Sequence, residues 1–312
     1  MKSPEKQEWK DATQRELNSL IKNHTFDVVP RPPNIKILNA GLIFKIKPKD
    51  DNKASQFKAR FVAKGYAQEY GIDYFETFSP TMRHASSRFL ISSAVMLGFK
   101  IHHFDVQTAF LNGELEETIY LEIPEGFEAS LKVDRKAHVL KLVKSIYGLK
   151  QASRVWNEKF TSTIQQMNFV QSQADPCVFI KYGPDQVPIA LIGIYVDDCH
   201  VAAQEDQIVE IGNQLKSKFE MHDLGPLTYS LGINVDQSNG AVTLSQAKYV
   251  EKLTKKFGMD DSRIMSTPLP FKPQNDQSNN KPFEDVNKYQ QLIGSLIYLA
   301  NATRPDLAYS VS

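Results

Sequence analysis

Two adjacent carboxylates, Asp197-Asp198, interrupt the most apolar part of the chain, with Ile192-Gly193-Ile194-Tyr195-Val196 before them and Cys199-His200-Val201-Ala202-Ala203 after. Segments 189–196 and 199–203 have the length and composition of strands, so the pair makes a very tight turn between them. Apolar strands do not bury like charges side by side freely. Either one carboxyl stays neutral, or a cation neutralises the pair, or the turn is a solvated tip. A third carboxylate in a similar setting favours the cation: Asp105 lies at the end of another apolar-rich strand, 101–106. Strand-end carboxylates converge at one edge of a sheet, and oxygen-only ligands suit Mg²⁺. Three carboxylates can hold two such ions, which about 3.5–4 Å apart would stabilise the attacking and leaving oxygens of a phosphoryl displacement.

The rest of the chain is consistent with a globular protein of one large or two ordinary domains. Its 312 residues are 41% hydrophobic and 23% charged, with a formal net charge of +1, which makes disorder or a fibrous repeat a poor description. The longest apolar run is far short of the roughly 20 residues of a membrane span. The start, Met1-Lys2-Ser3-Pro4-Glu5-Lys6, lacks the apolar core of a secretory signal, and Cys177 and Cys199 are too few for a disulfide framework. An intracellular, reducing setting is the expectation. Charge is uneven: Lys45, Lys47, Lys49, Lys53, Lys58, Arg60 and Lys64 face only Asp50 and Asp51 over one stretch. That patch is either a solvated hairpin face or a phosphate-binding surface.

Trp9, Ala12, Leu17, Leu20 and Ile21 have the spacing of an amphipathic helix that stops near Asn23. Strands are expected at 42–47 and 57–62 as a hairpin, then at 101–106, 141–147, 177–180, 229–235 and 241–244, the last two joined through Asn239-Gly240. Helices are expected at 86–97, 206–219, 247–257 and 289–300. A further one runs through Val155, Trp156, Phe160, Ile164 and Met167, with Trp156 and Phe160 read as core rather than as ligand contacts. The Pro- and Asn-rich segment 259–284 reads as a linker. Strands and helices alternate irregularly, which favours an α+β fold over repeated βαβ units.

Tyr195-Val196-Asp197-Asp198 resembles the tyrosine-x-aspartate-aspartate signature of reverse transcriptases, and its surroundings resemble the Ty1/copia-type retrotransposon polymerases. The series runs in order through Phe57-Lys58-Ala59-Arg60-Phe61-Val62-Ala63-Lys64-Gly65-Tyr66, Glu76-Thr77-Phe78-Ser79-Pro80 and Asp105-Val106-Gln107-Thr108-Ala109-Phe110-Leu111-Asn112-Gly113. It continues with Tyr147-Gly148-Leu149-Lys150-Gln151-Ala152, Asp223-Leu224-Gly225, Leu231-Gly232-Ile233, Leu244-Ser245-Gln246, Gly294-Ser295-Leu296 and Thr303-Arg304-Pro305-Asp306.

The resemblance implies an α+β, right-hand polymerase fold of fingers, a palm with an antiparallel sheet, and a thumb, spanning 1–258. Residues 285–312 would begin a connection toward a ribonuclease H domain. It implies an RNA-directed DNA polymerase that uses an RNA or DNA template, a DNA or tRNA-type primer and deoxynucleoside triphosphates, with no membrane partner and in a cytoplasmic setting. Asp105, Asp197 and Asp198 match the catalytic carboxylates and would bind two Mg²⁺ ions, with Mn²⁺ as a substitute. Lys47 and Arg60 align with the cations that hold the triphosphate, and Phe110 with the residue beneath the sugar that excludes a ribose 2′-hydroxyl; a core phenylalanine is the ordinary alternative. Tyr147, Gly148 and Gln151 match the nucleotide- and template-lining segment, Tyr195 belongs to the signature itself, and Leu231-Gly232 matches the hairpin that grips the primer. Gly232 there is either a point of close nucleic-acid approach or a strand bulge. Lys248, Lys252, Lys255 and Lys256 are either a solvated helix face or a duplex contact, and His102, His103, His200 and His222 receive no role.

Ser153 stands where the family usually has proline, and Ser230 where an aromatic is common. Both leave the catalytic groups intact, but with no capsid, protease, integrase or ribonuclease H part the chain resembles a polyprotein fragment or an isolated frame of a decayed element. An inactive nucleic-acid-binding remnant and a two-metal nuclease are therefore the competing functions.

Overall fold

The computed structural model describes residues 5–47, 56–238, 240–265, 267 and 284–312. Helix α1 (Lys6–Lys22) buries Ala12, Leu17 and Leu20 at helical spacing and stops at Asn23, whose side-chain amide donates to the Ser19 carbonyl at 2.8 Å. Strand β1 (Phe26–Pro30) follows, then the hairpin of β2 (Ala40–Lys47) and β3 (Gln56–Ala63), α2 (His84–Met96) and β4 (Lys100–Val106). Next come β5 (Tyr120–Leu121), α3 (Glu128–Leu131), β6 (His138–Leu142), α4 (Ala152–Gln166) and β7 (Val170–Gln171). Strands β8 (Val178–Tyr182), β9 (Pro188–Tyr195) and β10 (Asp198–Ala203) precede α5 (Glu205–Lys218) and β11 (Met221–Pro226). The chain closes with β12 (Tyr229–Ser230), β13 (Ile233–Ser238), β14 (Ala241–Ser245), α6 (Ala247–Phe257), α7 (Val286–Ala302) and α8 (Ala308–Val311).

The expected α+β class is observed, built round an antiparallel sheet in the order β11-β4-β10-β9-β8-β7. One face carries Phe104, Ile192, Ile194, Cys199 and Val201 and packs on Trp156 and Phe160 of α4 and on Ile208, Ile211 and Leu215 of α5. The other face carries Ile101, Leu191 and Ala202 against Leu90, Ile91 and Ala94 of α2. Burial on both faces is why β9 and β10 read as nearly unbroken apolar runs instead of alternating. A second core joins Leu17 and Leu20 of α1 to Phe61 of β3, Leu140 of β6, and Phe127. Both cysteines are buried free thiols, and burial pushes both thiols up, Cys177 to about 12. Among the described residues no helix is long and apolar enough to cross a membrane.

Several sequence expectations need correction. The strand at 141–147 is instead β6, ending at Leu142, because the next backbone donors turn away: Val143 and Lys144 bond to the Thr25 carbonyl and Ser145 to that of Gly113. The strand at 229–235 is broken at Leu231 (φ +49) and Gly232 (φ +81), which form a tight turn between β12 and β13. A leucine in the left-handed region is uncommon and gives no sequence signal. Strands β1 and β11 were not expected; β11 is a polar edge strand with a bulge between Asp223 and Pro226. Asn239 and most of the 259–284 linker lie outside the described residues.

Candidate active site

The β9–β10 hairpin turns through Val196 and Asp197, and its geometry is unusual. Val196 has φ +58, a left-handed conformation that a β-branched residue adopts only under constraint. Two bonds supply that constraint. The Trp156 indole Nε1–H of α4 donates to the Val196 carbonyl at 2.6 Å, and the Val106 N–H of β4 donates to the Asp197 carbonyl at 3.0 Å. Trp156 is thus core, as its spacing indicates, but its polar end reaches the turn.

Asp198 begins β10 directly opposite Asp105 of β4 in the antiparallel register. Side chains two apart share a sheet face, so Asp105 and His103 lie with Asp198 and His200 on the α2 side of the sheet. His103 Nε2 lies 2.9 Å from Asp198 Oδ1, and this bond is the main reason the Asp198 carboxyl is held below its usual range. Asp105 accepts from the Gln107 amide, and Asp197 is exposed at the tip. Burial pushes the His200 imidazole down to about 4, so it is uncharged at neutral pH, and its Nε2 is without a partner. His103, given no role from sequence, therefore touches a predicted site carboxylate; the signal was its position two residues before Asp105.

Among the described residues no three His, Cys, Asp or Glu side chains stand together closely enough to hold an ion as they are. The donor set nevertheless suits Mg²⁺: three carboxylates with oxygen-only donors, two of them direct cross-strand neighbours.

A second group of residues lies around Tyr147. Its ring meets Phe110 edge-on at 5.0 Å, and the Arg60 guanidinium sits 5.1 Å above it. Burial raises the Tyr147 hydroxyl pKa; Arg60 opposes this, while Glu16 and Asp197 add to it, so the hydroxyl lies in the field of all three. Phe110 sits in a short helical turn after left-handed Thr108 (φ +53), and the Ser145 hydroxyl donates to its carbonyl. The segment is anchored by backbone contact: Ala63 N–H donates to the Tyr147 carbonyl at 2.9 Å, and a Cβ on Gly148 (φ +90) would sit 2.2 Å from the Ala63 oxygen.

Gln151, expected to contact substrate, is fully buried; its amide donates to the Asp73 carbonyl and accepts from Gln68 at 3.0 Å, tying the 66–74 loop to α4. Lys47 closes β2 opposite Gln56, and its side chain lies outside the described residues. Tyr195 is half-buried against the main core.

At Leu231-Gly232 the close approach that glycine permits is made within the chain. A Cβ on Gly232 would lie 2.3 Å from the Tyr298 hydroxyl, which donates to the Leu231 carbonyl, so α7 is seated on this turn. Ser230 is buried beside it with its hydroxyl unpartnered. Lys248, Lys252, Lys255 and Lys256 are all exposed along α6, with Lys255 paired to Glu251.

Asp105 and Asp198 are thus paired across two strands of the main sheet, and Arg60 lies on the β2–β3 hairpin. The profile of the family described as reverse transcriptase (RNA-dependent DNA polymerase) matches residues 23–270, and the chain belongs to that family. Its relatives are Pol polyproteins of Ty1/copia-type retrotransposons. The polyprotein of transposon TNT 1-94 from Nicotiana tabacum is 38% identical over 99% of this chain, and that of RE1 from Arabidopsis thaliana 35% over 97%. The Ty1-GR1 Gag-Pol polyprotein of Saccharomyces cerevisiae is 26% identical over 99%. The chain spans only 24%, 20% and 18% of these three relatives, respectively. Among solved structures, a foamy viral protease-reverse transcriptase in complex with double-stranded DNA aligns with 94% of this chain and 40% of its own, at 11% identity and a TM-score of 0.43.

Proposed function

We propose that the chain is the polymerase unit of a retrotransposon Pol polyprotein, an RNA-directed DNA polymerase that extends a DNA or tRNA-type primer on an RNA or DNA template. The observation that carries this is the direct opposition of Asp105 and Asp198 across β4 and β10, with Asp197 in the adjoining turn. In this reading the six-stranded sheet is the palm, the β2–β3 hairpin belongs to the fingers, α6 belongs to the thumb, and α7 begins the connection segment. Asp105, Asp197 and Asp198 would hold Mg²⁺, which when bound lowers the pKa of the primer 3′-hydroxyl and neutralises charge on the departing pyrophosphate. Arg60 presents a planar fork to the triphosphate, as lysine could not. Phe110, backed by the Tyr147 ring, stands under the sugar and leaves no room for a 2′-hydroxyl. The α6 lysines contact duplex phosphates, so binding falls steeply with salt.

Incorporation of labelled deoxythymidine triphosphate on poly(A) primed with oligo(dT) tests the reading. Synthesis that requires Mg²⁺ or Mn²⁺ is expected. A folded protein that binds the duplex yet incorporates nothing with either metal would instead establish a remnant. Cleavage of the duplex without deoxynucleotides would indicate a nuclease.

The bond from Trp156 to Val196 leads to a second expectation. Trp156→Phe keeps an aromatic ring in the core but frees the turn, so incorporation should fall about 10- to 100-fold through misplacement of the aspartates. Stability should fall by only ~2 kcal/mol. Primer extension and urea unfolding measure the two effects; full activity in the variant would show that the turn holds its shape without the indole.

A further inference from the structure

Helix α1 ends at Lys22, before the residue 23 at which the family match begins, yet it carries a carboxylate into the heart of the second core. The Glu16 side chain is only 3% exposed. It sits on the face of α1 that also buries Ala12, Leu17 and Leu20, where an apolar side chain would pack without any cost of desolvation. A buried carboxylate persists only when paired and hydrogen-bonded, and both Glu16 oxygens are used. Oε2 accepts from Arg60 Nη1 at 3.0 Å, and Oε1 accepts from the Phe61 backbone N–H at 2.9 Å.

The two bonds act on one point of β3. One fixes the backbone just after Arg60, and the other fixes one edge of the guanidinium. Held in this way, the guanidinium lies over the Tyr147 ring, which in turn meets Phe110. About a quarter of the Arg60 side chain remains exposed, so the group is oriented by the protein without being sealed off from a ligand. Arg60 thus stands between the α1 carboxylate on one side and the Tyr147–Phe110 ring pair on the other.

We propose that Glu16 is a positioning residue for nucleotide binding: it pre-orders Arg60 for the triphosphate, and α1 is thereby part of the nucleotide site. The inference rests on the polymerase reading above. Its physical basis is entropy. A free arginine loses rotamer freedom when it clamps a phosphate, whereas one already held over Tyr147 has lost that freedom during folding.

The test is the Kd of deoxythymidine triphosphate for the full chain bound to poly(A) and a dideoxy-terminated oligo(dT) primer, measured calorimetrically so that no turnover is needed. Glu16→Gln is expected to weaken the triphosphate about tenfold, the cost of one un-ordered long side chain, and to change the Kd of primer–template less than twofold. In an Arg60→Gln background the same Glu16→Gln change should have no further effect, a coupling that a merely structural role would not produce. A Glu16→Gln protein with wild-type triphosphate affinity, or an equal loss in both backgrounds, overturns the proposal. If Glu16→Gln does not fold, Glu16→Asp, which keeps the charge but shortens its reach, must show the same coupled loss or the proposal fails. No triphosphate binding by the wild type, or Arg60→Gln without effect, would instead refute the polymerase reading or its assignment of Arg60.

Discussion

Asp197→Asn is expected to lower templated incorporation by about 10³-fold, ~4 kcal/mol of transition-state stabilisation, with little change in stability. The argument is one of charge without shape. Asparagine has the same outline, and Asp197 is exposed at the turn tip, where substitutions usually change stability by less than ~0.5 kcal/mol. Its backbone carbonyl keeps the bond from Val106, so the turn stays in place. What is lost is one of the negative charges that would hold Mg²⁺. Asp198→Asn should be equally inactive but also less stable, because it removes the carboxylate that His103 binds. Primer extension beside thermal unfolding separates the two. Synthesis by Asp197→Asn within tenfold of wild type would sink the assignment of the aspartates.

Gly148→Ala is expected to cost ~3–5 kcal/mol and to lower Tm by roughly 10 °C. The new Cβ would stand 2.2 Å from the Ala63 oxygen and 2.6 Å from Val62 Cγ1, at a φ of +90 that disfavours any side chain. The backbone atom cannot yield cheaply, because the Ala63 N–H is bonded to the Tyr147 carbonyl, and the chain passes so close at Gly65 that a Cβ there would lie 2.0 Å from the Gly148 oxygen. Gly126→Ala is the control: its φ is +100, but nothing lies within 4 Å of the new Cβ, so only backbone strain is added. Equal thermal shifts for the two variants would show that the contact between β3 and Tyr147-Gly148 bears no load.

Much of this fold was legible before any coordinates, and for a local reason. Leu17 and Leu20 on α1, Trp156 and Phe160 on α4, and the continuous runs of β9 and β10 each declare an element through spacing within a few residues. The tight turn between the two apolar strands was expected at Asp197-Asp198 and falls one residue earlier, at Val196-Asp197, because Asp198 already pairs with Tyr195 and Asp105 in the sheet. Where expectation failed, the deciding fact was not local. Tyr229 to Val235 has the composition of one strand, but Leu231 and Gly232 are left-handed because Tyr298, 67 residues beyond Leu231, bonds to the turn. Gln151 sits in a motif associated with substrate, yet its amide is consumed by Gln68, 83 residues earlier, and by the Asp73 carbonyl.

The sequence by itself thus determined the class of fold, the order of most elements and the family, and it singled out the aspartates proposed for the site. Only the tertiary structure decided what holds that site in shape. Trp156 meets Val196 across 40 residues, His103 meets Asp198 across 95, and Glu16 meets Arg60 across 44. Periodicity records which face of an element is buried, because burial repeats with the backbone. It carries no record of which polar atom on one element closes a hydrogen bond on another, because that depends on how separately formed elements are packed against each other.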